Sequence, residues 1–83
     1  MIISADVVKQ LLQDDDPEAV LVLVEGRAHV ITQRDVDTPQ YRGALQIISR
    51  DDLIKRTGGA ELSEHDLAGQ AALLDSTVSE LGG

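Results

Sequence analysis

Residues 19–33, AVLVLVEGRAHVITQ, read as a β-hairpin whose two strands are apolar on both sides. A two-residue loop at Gly26-Arg27 fits a type II′ turn with glycine at the first central position, which sets Glu25 against Ala28 and Leu23 against Val30. In that register Leu21, Leu23, Ala28 and Val30 share one face of the sheet, and Val20, Val22, Val24 and Ile31 share the other. A sheet with one wet face alternates apolar and polar residues, and this one does not. Both faces therefore need cover. Helices are expected over one of them, and a second copy of the chain over the other. The expected partner is the protein itself, as a two-fold homodimer with Val20, Val22, Val24 and Ile31 at the interface.

Eighty-three residues support one small α+β domain, residues 1–83, with limited capacity to bury surface. The absence of cysteine excludes a disulfide scaffold and a thiolate zinc site. Tyr41 is the only aromatic residue, so the core is aliphatic and the stacking platforms used on single-stranded nucleic acid are missing. No basic segment leads into a long apolar run, and residues 19–24 are too few to cross a bilayer. A cytoplasmic protein with no membrane partner is expected. The net charge of −8 divides as −5 over residues 1–26, +2 over 27–56 and −5 over 57–83. Acidic ends repel nucleic acid and anionic lipid, while the middle could meet an anion or an acidic partner. Ordinary solvated charge is the plainer reading of the same pattern.

Three segments share one helix-start device. Ile3-Ser4, Ile48-Ser49 and Leu62-Ser63 each place a serine to cap the first amides, with an aliphatic residue before it and another, Val8, Leu53 or Leu67, at the fourth helical position. Acidic residues in the first turns suit the positive end of the helix dipole. The first helix runs from about Ala5 to Gln13 and stops at Asp14-Asp15-Asp16-Pro17. The second ends at Gly58-Gly59 with Lys55 and Arg56 near its negative end. The third, about Glu64 to Leu81, carries Leu67, Ala71, Leu74, Val78 and Leu81 as one stripe, which is expected to pack on the sheet. The likeness between IISADVVKQ and IISRDDLIKR reflects this shared capping chemistry, with no repeat period continuing through the chain. The predicted fold is a small, mostly antiparallel three-stranded sheet with three helices in the order α-β-β-β-α-α. Residues 1–3 leave room for a short extra edge strand.

Chemistry-bearing groups are few. His29 falls in the second strand and His65 in the first turn of the last helix, with no nucleophile positioned beside either, so no catalytic residue, cofactor or metal site is assigned. The Asp14-Asp15-Asp16 run lacks the alternating ligands and glycine of a calcium loop. The polar linker from Arg34 to Gly43 is the best place for a specific surface. Tyr41, Arg42, Arg50, Lys55 and Arg56 are candidate partner-binding residues, with Tyr41 alternatively covering the edge of the core.

Two resemblances carry functional implications. The terminal Leu81-Gly82-Gly83 resembles the Gly-Gly tails of sulfur-carrier and ubiquitin-like proteins, although here the glycines directly follow a helix, where they serve as its cap. The segments His29-Val-Ile-Thr-Gln-Arg34 and Gly43-Ala-Leu-Gln-Ile-Ile-Ser-Arg-Asp-Asp-Leu53 are similar in outline to the Phd/YefM antitoxin pattern, over about half of the chain. That resemblance implies a dimeric regulator binding operator DNA, with Arg34, Arg42, Arg50, Lys55 and Arg56 on phosphates and an acidic tail binding a toxin. The strand Val20–Val24 and the insertion Asp35–Arg42 fall outside the pattern, and Lys9 is the only base in the first helix. The residues themselves favour a non-catalytic, homodimeric interaction or regulatory module for another protein, with the antitoxin-type regulator as the alternative.

Overall fold

Ser4, Ser49 and Ser63 each start a helix. Their hydroxyl oxygens accept from the backbone N–H of Val7 at 3.4 Å, Asp52 at 3.1 Å and Asp66 at 3.1 Å. The flanking Ile3, Val8, Leu53 and Leu67 are buried, and Ile48 and Leu62 pack against the same core. The computed structural model describes residues 2–59 and 61–81. Its elements are α1 (Ala5–Gln13), β1 (Ala19–Val24), β2 (Arg27–Thr32), a one-turn α2 (Gln33–Val36), a 3-10 turn (Pro39–Tyr41), β3 (Leu45–Ser49), α3 (Arg50–Thr57) and α4 (Glu64–Leu81). The sheet has the order β2-β1-β3 and is antiparallel throughout. This is the α+β fold expected, in the expected order, with α2 and the 3-10 turn added inside the linker.

The acidic run after α1 is turn machinery. Asp14 Oδ1 accepts from the Asp16 N–H at 2.9 Å, and Asp16 Oδ1 accepts from the Glu18 N–H at 2.8 Å. Two successive aspartate turns thus bring the chain round into β1. Gly58, at φ 85°, takes the left-handed conformation that ends α3, its N–H reaching the Ile54 carbonyl at 2.8 Å.

The hairpin turn is one residue earlier than the sequence suggests. Val24 pairs with Arg27, so Glu25 and Gly26 are the loop, at φ 51° and 79°. Positive φ at both central positions is the type I′ geometry, whose twist matches the flanking strands, and that match outweighs the cost of left-handed backbone at Glu25. The pairing shifts by an even number of residues, so the faces are unchanged: Leu21 and Leu23 stand opposite Val30 and Ala28, and Val20 and Val22 opposite Ile31 and His29.

Residues 2 and 3 form no strand, and Met1 lies outside the described residues. Their backbone N–H groups donate instead to Asp75 Oδ1 on α4, at 2.8 Å from Ile2 and 3.0 Å from Ile3. The α4 stripe Leu67, Ala71, Leu74 and Val78 is buried as its spacing requires, but its principal neighbour is α1 and not the sheet. The reason lies in α1, which carries Val7, Val8, Leu11 and Leu12, enough apolar surface to meet strands on one side and α4 on the other. The proposed glycine cap of α4 lies outside the described residues.

The second face of the sheet is closed from within the chain. Val20, Val22 and Ile31 are 1%, 0% and 6% exposed, and half-buried Val24, Val36, Tyr41 and Ala44 pack against them. The segment between β2 and β3, which includes the polar linker from Arg34 to Gly43 expected to carry a specific surface, is that cover, with Tyr41 in its alternative role of covering the core. The four residues expected at a dimer interface therefore belong to a second small core, because α2 and the 3-10 turn fold an apolar side back onto the strand.

Two outcomes follow from these contacts. Glu25→Asn should raise the stability in urea by about 0.5–1 kcal/mol, since asparagine tolerates left-handed backbone better than glutamate; a loss would contradict the type I′ turn. The N–H groups of Ile3 and Ile2 hold the Asp75 carboxyl below its ordinary range. A depressed folded-state pKa contributes stability that is full above the unfolded value and lost as pH falls through the folded one. The stability gap between the natural protein and Asp75→Asn should accordingly be largest near neutrality and close in acid, as read by thermal unfolding across pH.

Candidate interaction surface

With both faces covered, the sheet meets its surroundings at its edges. A strand at an edge presents backbone N–H and C=O groups that no neighbour takes. Of the two edge strands, β2 carries Arg27 and His29 within it, and charge in an edge strand discourages pairing with another chain. The five residues of β3, Leu45-Gln46-Ile47-Ile48-Ser49, carry none. Leu45 is 41% exposed and Gln46 is exposed beside it.

Local chemistry fixes where β3 starts and stops. The 3-10 turn begins at Pro39 and ends at Tyr41 with Arg42 as its cap, and Gly43 at φ 90° redirects the backbone into the strand. At the other end Ser49 is at once the last strand residue and the cap of α3, which sets Asp52 one turn beyond the strand. A bulge interrupts the β1–β3 ladder: Leu21 stands opposite Ile48, but Val22 stands opposite Gln46, leaving Ile47 as the extra residue. Strict alternation would send Ile47 to the opposite side from Ile48. The bulge lets both isoleucines pack on the helix-side core. A shallow groove of about 310 Å³ runs beside the strand, lined by Val20, Gln33, the residues from Gln46 to Ser49, and Asp52.

The partner-binding residues picked from sequence are not brought together. Tyr41 is half-buried over Val20, Val22 and Ile31, its ring edge-on to His29 with centroids 6.0 Å apart, so it covers the core. Arg50 is half-buried and donates from Nε to the Leu12 carbonyl at 3.2 Å, satisfying an orphan acceptor at the end of α1. Lys55 pairs with Asp51 one turn away at 3.0 Å on the exposed face of α3, and that hydrogen bond and charge raise its pKa. Arg56 lines a groove of about 380 Å³ between α3 and α4, with His65, Leu73 and Gln70, whose Oε1 is buried without a partner among the described residues. Arg42 alone of the five stands exposed beside β3 without an ion pair among the described residues.

Leu45 and Gln46, which nothing in the sequence singles out, are exposed in a charge-free strand between Arg42 and Arg50. Among the described residues no group of three or more histidine or acidic side chains is placed to hold a metal ion, and no helix is long and apolar enough to cross a membrane. Compared with protein-family models, curated proteins and solved structures, the chain matches none of them.

Proposed function

We propose that this protein is a cytoplasmic, non-catalytic interaction module that offers the outer edge of β3 to the backbone of another polypeptide. The observation that carries this reading is the edge itself: an uncharged strand with Leu45 and Gln46 exposed, bounded by a turn and a helix cap. Strand addition needs only main-chain hydrogen bonds and a few side-chain contacts, which suits a domain whose interior is occupied by its own core. The two histidines support a binding role over catalysis, since His29 is packed on Tyr41 and His65 sits in the exposed first turn of α4. The dispersal of Arg50, Lys55 and Arg56 among structural contacts and a separate groove favours protein over DNA as the partner.

A photo-cross-linking amino acid at Gln46, with exposed Gln10 on α1 as the control position, tests the reading in the native cell. A polypeptide adduct of discrete mass at residue 46 and none at residue 10 is the expected result. Failure to form an adduct at residue 46, or salt-sensitive binding of the purified protein to a discrete operator, would overturn it in favour of the antitoxin-type alternative.

A further inference from the structure

Resting on the reading of β3 as a pairing edge, we infer that the polypeptide it receives is β3 of a second copy, antiparallel, about a two-fold axis at Ile47. The strand begins beside a cation and ends at Arg50-Asp51-Asp52, where Arg50 is committed to the Leu12 carbonyl and Asp51 to Lys55. Arg42 stands three residues before Leu45, and Asp52 stands three residues after Ser49. Both are exposed, and the ion pair described on this part of the surface already occupies Asp51 with Lys55. An antiparallel pair centred on Ile47 aligns Leu45 with Ser49 and Gln46 with Ile48 of the second copy. Beyond the strands, the turn carrying Arg42 of each copy then lies at the same end as the start of α3 carrying Asp52 of the other, whereas a parallel pair would bring like ends together.

The wider charge distribution points the same way. A chain of net charge −8 repels its own copies over most approaches. Residues 42–52 hold two arginines and two aspartates, a balanced stretch through which two copies meet with less of that penalty. The product is a continuous six-stranded antiparallel sheet of order β2-β1-β3-β3-β1-β2, in which Leu45 loses its exposure. This interface replaces the covered valine face as the route to the dimer.

Sedimentation equilibrium of the full chain, up to about 1 mM, reads the association. A dimer is expected. Arg42→Asp and Asp52→Arg, both surface changes, should each weaken it about tenfold by setting like charges together at two symmetric places, and Leu45→Lys should weaken it further. Mixing the two charge variants should restore the affinity, because each supplies the charge the other lacks. A dimer indifferent to all three substitutions, or a chain that stays monomeric, would overturn the inference. If the monomeric chain still gives an adduct at Gln46 with a different polypeptide, the strand-addition reading stands without it; if no adduct forms at Gln46, both fall.

Discussion

The burial of β1 from two sides by two unlike devices is the constraint on which the rest of this structure depends. As the central strand, β1 has both its hydrogen-bonding edges filled, and neither of its apolar faces can be left to water. On one side α1 and α3 lie over Leu21, with α4 against α1 beyond them. On the other, the 33–44 segment closes over Val20, Val22 and Ile31. Among the described residues the three longer helices α1, α3 and α4 lie on the first side, and the twelve residues between β2 and β3 serve as cover for the second.

That arrangement decides what remains available for function. The chain's own turn leaves Val20, Val22 and Ile31 without open surface, and Tyr41, the one aromatic side chain, is committed to the cover. Arg50 is committed to the end of α1 and Asp75 to the amides of Ile2 and Ile3. The Arg50 and Asp75 contacts tie the start of α3 to α1 and the N-terminal residues to α4, and among the described residues no strand pairs with the outer edge of β3. The bulge there follows from the same economy: two consecutive isoleucines are both needed on the helix side, and only an extra residue in the ladder allows it.

Much of this was legible in the residues. Serine caps with flanking aliphatics located three helix starts because capping is local chemistry, complete within five residues. The faces of the hairpin were legible as well, even with the wrong turn, because alternation has period two and the actual pairing differs by an even shift. The cover over Val20 and Val22 was not. Val36, Tyr41 and Ala44 are scattered among polar residues with no helical or strand period, and their common side appears only when a four-residue helix and a 3-10 turn bend the segment back. Arg50 and Lys55, expected at a partner surface, have partners within the chain, and such contacts are not visible in charge pattern alone.

The most direct test of the account is whether the second face is closed within a single chain. Isotope-filtered NMR on a mixture of labelled and unlabelled protein separates contacts inside one chain from contacts between copies. The account predicts intramolecular NOEs from the Tyr41 ring to the methyl groups of Val20, Val22 and Ile31, undiminished on dilution. Their absence, or their appearance only between copies, would contradict it.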